Sequence, residues 1–322
     1  MHGLVRRLEM KVTGHLLKLR LAQIAIVLLC PAVGFAGQAA ESPPVPWWVW
    51  PLVLFVFCFV LGIIAVLAGV GGGVLYVPLV SGFFPFHLDF VRGAGLLVAL
   101  AGALAAGPGL LRRNLASLRL ALPVAVIASS CAIVGAFLGL ALPTNVVQIC
   151  LGGTIVGIAI LLLVSKNVER PQVPKQDPIG AALGMHGSYV EYTGELVHWK
   201  THRTLPGLFL FILIGVMAGM FGLGAGWANV PVLNLLMGVP LKIAVGTSKF
   251  LLSITDTSAA WVYMNQGCVI PLMAIPSIVG LMLGSFVGVR ILAVAKPKVI
   301  RYLVIGVLLF AGLRSLWKGL GL

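Results

Sequence analysis

Ten apolar stretches, most of them too long for a soluble core, constrain this chain more than any other feature. They run at about 47–68, 72–86, 90–111, 119–141 and 146–165, then at 205–223, 225–240, 243–264, 269–292 and 299–318. A helix needs about 20 apolar residues to cross the ~30 Å hydrocarbon layer, and several of these runs qualify. Of the 322 residues 60% are apolar and 9% charged, against about 25% charged in a soluble domain. The expected class is an all-α polytopic membrane protein whose surroundings are the lipid bilayer. A soluble enzyme, a nucleic-acid module and a disulfide scaffold are excluded, and no cofactor or metal site is expected.

The net charge of +14 is then an orientation signal, because Lys and Arg collect in short cytoplasmic loops of membrane proteins. The five cysteines (Cys30, Cys58, Cys131, Cys150 and Cys268) lack paired spacing; four lie in apolar runs as small packing groups, and Cys268 sits beside a predicted loop, where a reactive or disulfide role is the alternative to packing. Residues 1–46 form an N-terminal unit: a basic arm with Arg6, Arg7, Lys11, Lys18 and Arg20 precedes an apolar run from Leu21 to Ala36. That is the form of a signal peptide or of a retained anchor helix. Trp47, Trp48 and Trp50 follow as an interfacial belt.

An internal repeat organises the rest. A gapless shift of 153 positions lays Gly62 on Gly215, Gly69 on Gly222, Gly71 on Gly224, Gly73 on Gly226 and Pro78 on Pro231. It continues with Gly93 on Gly246, Pro123 on Pro276, Gly135 on Gly288 and Gly153 on Gly306. Two repeats, 47–165 and 205–322, of about five helical elements each are separated by the polar interval 166–204. Charge decides their relation. Arg112, Arg113 and Arg119 mark a loop of the first copy, and its counterpart Asn265-Gln266-Gly267 is uncharged. The next loop reverses this: Pro143-Thr144-Asn145 is neutral, while Lys296, Lys298 and Arg301 mark its counterpart. Equivalent loops therefore fall on opposite sides, and the repeats are expected to be inverted. With the 166–204 interval inside, 18 of the 22 Lys and Arg are cytoplasmic; Arg92, Arg314 and Lys318 fall outside, and Lys249 falls within the membrane.

In the interval, residues Gly187 to Thr201 alternate as a β-hairpin does, with Thr193-Gly194-Glu195 as its turn. His198 and His202 are four apart, but a metal site would need a helix there, which the alternation opposes.

Each copy carries a Gly-rich break, Gly69-Val70-Gly71-Gly72-Gly73 and Gly222-Leu223-Gly224-Ala225-Gly226. Such breaks near the midplane are tolerated where they are buried in protein or line a wet cavity. The free N–H groups of the next helix then favour an anion. Close helix packing is the alternative use of these glycines. Pro78 and Pro231 follow the breaks, and Tyr76, Trp227 and Asn229 supply polar groups beside them, or else pack between helices.

The segments Gly69-Val-Gly-Gly-Gly-Val-Leu-Tyr-Val-Pro78 and Gly222-Leu-Gly-Ala-Gly-Trp-Ala-Asn-Val-Pro231, with Gly246-Thr247-Ser248 after the second, resemble the TauE/SafE family of sulfite-exporter-like permeases. The resemblance covers about residues 50–165 and 205–318. It implies a transporter of sulfite, sulfonates or related anions. Gly93-Ala94-Gly95, the first-copy match of Gly246-Thr247-Ser248, lacks hydroxyls, so the polar groups of a shared site are unequally divided.

Stretch 243–264 is the most polar. Lys249, Ser253 and Asp256 fall at i, i+4 and i+7, on one helix face. A charge in a span costs about 2.5–3.5 kcal/mol on the lenient insertion scale, so it usually faces a cavity or a partner. Lys249 either meets a bound anion or snorkels to the interface. Asp256, taken as the one acid within a span, is assigned to proton coupling or to orienting the site, or else is a neutral carboxyl bonded to a neighbouring Ser or Thr. His87 and Asp89 are placed in an outer loop.

The expected substrate site thus comprises Gly71, Gly72, Gly73, Tyr76, Gly224, Ala225, Gly226, Trp227, Asn229, Thr247, Ser248, Lys249 and Ser253, with Asp256 as the proton-coupling residue. The expected function is secondary transport of a small anion across a bacterial inner membrane. An anion channel of the same architecture, and a sensor or scaffold acting through the hairpin, are the alternatives. An intramembrane enzyme fails on inventory, since no second acid and no histidine lie within a span.

Overall fold

Eleven helices and one strand pair carry the described part of the chain, which in this computed structural model is residues 46, 48–68, 71–112, 115–164, 171, 173, 176–190, 196–292 and 297–321. The expected signal or anchor segment, Gly69 and the hairpin turn lie outside the described residues.

Helices α1 (Val49–Ala68), α2 (Gly72–Phe83), α3 (Leu88–Arg112), α4 (Leu118–Ala141) and α5 (Thr144–Val164) make the first set. A short α6 (Pro178–Ala182) and antiparallel strands β1 (His186–Val190) and β2 (Leu196–Lys200) follow, with Ser188 opposite His198. The second set is α7 (Thr204–Phe221), α8 (Gly226–Pro231) with a π-helical turn over Val232–Leu236, α9 (Leu241–Asn265), α10 (Pro271–Leu292) and α11 (Pro297–Gly319). Five of these, α3, α4, α5, α7 and α10, are long and apolar enough to cross a membrane among the described residues. The protein is a multi-pass membrane protein.

The shift of 153 reappears in the boundaries. Helices α3 and α9 begin and end that far apart, and α10 and α11 begin 153 positions after α4 and α5. It also reappears in the packing. A Cβ at Gly62 would strike the carbonyl of Leu281, and one at Gly215 would strike that of Ala128 at 2.5 Å. A Cβ at Gly93 would lie 2.5 Å from the Cys268 carbonyl, while at Gly246 the obstacle is Leu115. Each pair maps onto the other when the copies exchange places. Small residues permit such backbone approach, the main source of helix association where lipid is as apolar as the side chains.

Helix α4 lies along α7, α5 along α11, and α9 packs on both α3 and α4. One apolar core collects α1, α2, α3, α5, α10 and α11; a second collects α4, α7, α8, α9 and the strand pair through Met185, Tyr189 and Trp199. Asp177 fastens the polar interval, accepting from Gly180 N (3.1 Å), Thr204 N (2.9 Å) and the Thr204 hydroxyl (2.8 Å). One carboxylate thereby caps the starts of α6 and α7 together.

Gly219 sits with its Cα against Ala132 of α4, whereas a Cβ at Gly153 meets nothing within 4 Å. Gly219→Val should therefore lower the thermal midpoint in detergent, by the roughly 1–3 kcal/mol typical of overpacking. Gly153→Val should leave it unchanged. Equal behaviour of the two variants would reject close backbone packing at α4–α7.

Candidate functional site

The second break is an unwound segment of four residues, Gly222 to Ala225, between α7 and α8. Gly222 (φ 69°) and Gly224 (φ 70°) both adopt the left-handed conformation, which side-chain-bearing residues rarely take. The first break reaches Gly71 in extended backbone and enters α2 at Gly72.

The two breaks meet. A Cβ at Gly73 would lie 2.6 Å from the Leu223 carbonyl and 2.9 Å from Ala99 Cβ; one at Gly224 would lie 3.1 Å from the same Ala99 Cβ and 2.9 Å from Asp256 Oδ2. Gly73, Gly224 and Asp256 therefore converge on one point between α3 and α9. Leu281 covers Gly72, and Leu252 covers Gly226.

Three buried polar groups at or just after the second break lack a hydrogen-bond partner among the described residues: Asp256 Oδ1 and Oδ2, Trp227 Nε1 and Asn229 Nδ2. Asp256 is 0% exposed. Its neighbours are committed elsewhere. Thr255 donates to the Leu251 carbonyl (2.9 Å), and Thr257 donates to that of Ser253 (2.6 Å). The Thr255 hydroxyl also interacts with the Asp256 carboxyl. Lys249 is half-buried and interacts electrostatically with Asp256, but no direct ion pair joins them among the described residues.

Other expected site residues point elsewhere. The Tyr76 hydroxyl is 3.4 Å from Ser277 Oγ of α10, a contact between helices. Thr247 accepts from Ser117 N at 3.1 Å and so anchors the start of α4. Ser253 donates to its own helix at Phe250 (2.7 Å). Ser248 and Ala225 are buried. Pro78 lies inside α2, which continues to Phe83, and at Pro231 the helix passes into the π turn.

Asp89 and Arg92 sit deeper in the packing than their places in the sequence suggest. Asp89 stands in the first turn of α3 rather than in a loop, so Asp256 is not alone among acids in the helices. Arg92, expected on the outer side, is 1% exposed. It pairs with Asp89 and donates from Nη1 to the carbonyls of Gly139 (3.0 Å) and Met220 (2.9 Å). The Tyr263 hydroxyl donates to Gly219 (3.1 Å) or to Met220 (3.3 Å), and the Tyr263 ring lies under the Arg92 guanidinium at 5.7 Å. A cation thus sits at the C-terminal ends of α4 and α7, where the helix dipoles are negative. Sequence reasoning missed this clasp. Its trace was the i, i+3 spacing of Asp89 and Arg92, which brings their side chains onto one helix face.

The paired breaks, the flanking helices and the 153-residue register coincide with a family match. The model of the sulfite exporter TauE/SafE family matches residues 54–315. The chain belongs to the TauE/SafE family. Among curated proteins it is similar to the probable membrane transporter protein YunE of Bacillus subtilis (strain 168), 23% identical over 84% of this chain and 98% of that protein. It is also similar to the probable membrane transporter protein ORF9 of a Sinorhizobium species, 26% identical over 82% of this chain and 91% of that one. No solved structure matches the chain. TauE/SafE membership and these relatives support a membrane transporter with a small-molecule substrate.

Removing the Arg92 side chain takes the guanidinium from Asp89, takes a donor from the Gly139 carbonyl, and leaves Met220 and Gly219 to share the single proton of Tyr263. Arg92→Met should cost the ~3–5 kcal/mol typical of breaking a buried pair. The double variant Arg92→Met/Asp89→Leu should recover part of that loss in thermal unfolding. A single variant as stable as wild type would remove the clasp from the account.

Proposed function

We propose that this TauE/SafE protein is a secondary transporter of a small anion, with its site at the junction of the two breaks and Asp256 as the proton-coupling residue. The observation that carries the proposal is the buried Asp256 carboxylate, without a hydrogen-bond partner and pressed against Gly224. Burying an ionised or polar group without compensation is costly, and such groups mark sites completed by something else.

The surrounding groups suit an anion. The Trp227 and Asn229 N–H groups are unspent donors, and Lys249 brings a positive charge on the helix that bears Asp256. An anion arriving about 6 Å from an ionised Asp256 would meet repulsion of about 3 kcal/mol at an effective dielectric near 20. A proton on the carboxyl removes that cost and leaves an O–H donor. Proton and anion therefore bind better together than apart, which is the thermodynamic content of coupling.

Two inverted halves rocking about this point would expose it to each side in turn. The exchange of contacts between copies at Gly62–Leu281 and Gly215–Ala128 supports a two-fold relation, and the opposed loop charges support an axis in the membrane plane. The family's own description supplies sulfite as the first substrate to test. A bacterial inner membrane with the strand pair on the cytoplasmic side is the setting consistent with the charge distribution. The strand pair is held by Met185, Tyr189 and Trp199 in the apolar core, which favours a structural part for it over sensing.

The test is flux of labelled sulfite into liposomes carrying the purified protein, under imposed pH gradients, with sulfate and an organosulfonate as competitors. Gradient-driven accumulation is expected in wild type. Asp256→Asn should keep sulfite–sulfite exchange and lose the response to the gradient. Lys249→Ala should weaken substrate affinity by about ten- to hundredfold, the worth of one charge-assisted hydrogen bond. Conductive flux insensitive to the gradient and to Asp256→Asn would assign a channel instead. No flux of any of these anions from folded protein would reject the substrate class.

A further inference from the structure

The cations Arg314 and Lys318 belong to neither the site nor the clasp. They stand one turn apart near the end of α11, with Trp317 beside them, and face the end of α2. The Arg314 guanidinium lies over the Phe83 ring at 4.1 Å, and Lys318 Nζ donates to the Ser81 carbonyl at 3.1 Å. Gly82, Arg314, Trp317 and Lys318 line an open cleft at the surface.

Three features show what the cleft lacks. Among the described residues no acid pairs with either cation, and the Arg314 N–H groups have no acceptor, although that side chain has five of them. Lys318 gives one of its three protons to Ser81. The cleft also stands at the head of an exposed apolar stripe on α11, Phe310 (49% exposed), Leu313 (58%) and Trp317 (63%). These positions, three and four apart, share one helix face.

Aromatic residues at the same end of α2 mark the level. Trp50 packs edge-on against Phe84 and Phe86, at 6.2 and 5.5 Å between ring centres, as residues of an interfacial belt do. Two cations with unspent donors at headgroup level, above an apolar track, match a molecule with an anionic head and a hydrocarbon tail.

We propose that Arg314, Lys318 and Trp317 form a binding site for the phosphodiester headgroup of an anionic phospholipid, with an acyl chain along Phe310 and Leu313. Arg is suited to hold two phosphate oxygens at once, with Lys as a point charge beside it. The stripe favours lipid over free phosphate, because inorganic phosphate gains nothing from an apolar track.

The proposal is tested with the full chain in nanodiscs of phosphatidylcholine alone or with phosphatidylglycerol, reading the thermal midpoint and the phospholipid retained on extraction into detergent by mass spectrometry. Wild type should be stabilised by phosphatidylglycerol and should retain it. Arg314→Gln/Lys318→Gln keeps a donor for Ser81, and it should lose both effects while unfolding at the wild-type midpoint in phosphatidylcholine. Arg314→Lys/Lys318→Arg should keep most of the retention, which separates loss of binding from loss of fold. Arg119→Gln, which removes a cation at the start of α4, should change neither. Loss of retention in Arg119→Gln equal to that in the double Gln variant would overturn the site as mere charge attraction. Stabilisation by inorganic phosphate in phosphatidylcholine discs, matching that by the lipid, would overturn the lipid as occupant. Absence of any preference in wild type would overturn the proposal outright.

Discussion

The end of α7 faces the constraint on which the rest of this architecture depends. A helix end buried among other helices leaves carbonyls with no water to bond. The helix stops at Phe221 because Gly222 turns left-handed, and its own N–H closes on Ala218. Gly219 and Met220 still need donors, and the chain brings them from other helices: Tyr263 from α9 and Arg92 from α3. The break can exist because those two side chains complete it. Arg92 is in turn tolerable there because Asp89 and the ends of two helices balance its charge.

The same geometry explains why two copies of one pattern produce an asymmetric junction. The glycines recur at the 153-residue shift because both copies must let backbones touch. The polar residues do not recur. Asp256 falls on Ala103 and Lys249 on Leu96, and both of these first-copy residues are buried apolar groups. Ala99 and its counterpart Leu252 both reach Gly224, so α3 and α9 enclose one junction from two sides. The first copy contributes shape there, and the second contributes charge.

That division also marks what could be read from sequence. Helix existence and approximate ends were legible, since an apolar run bounded by Gly, Pro or charge has few alternatives in a bilayer. The strand pair occupies the stretch whose residues alternate in character. The convergence of Gly73, Gly224 and Asp256 was legible in outline, because paired breaks must satisfy their backbone against each other. The remainder depends on where long side chains reach. Tyr76, Thr247 and Ser253 have the right chemistry for a site, but their hydroxyls serve Ser277, Ser117 and Phe250. Nothing in their spacing distinguishes these uses. Arg92 was legible only as an exception to the charge distribution, and only the packing of α4 and α7 around it shows what it binds.

The clasp bears directly on how such a protein could move. Arg92 is a first-copy residue, while its acceptors belong to both copies: Gly139 to the first, Met220 to the second. Tyr263 binds within the second copy alone. A displacement of one copy against the other therefore strains the Arg92–Met220 bond and leaves Tyr263 with its acceptors. Tyr263 has one proton, which can serve Gly219 or Met220 but not both, so release of Arg92 leaves one carbonyl of the break short of a donor. Arg92, with Asp89 and Gly139 travelling in its own copy, keeps its countercharge. The proposed rocking of the halves would have to break the Arg92–Met220 bond, and the carbonyl that loses its donor marks the cost of that motion, while the charge of Arg92 stays balanced throughout.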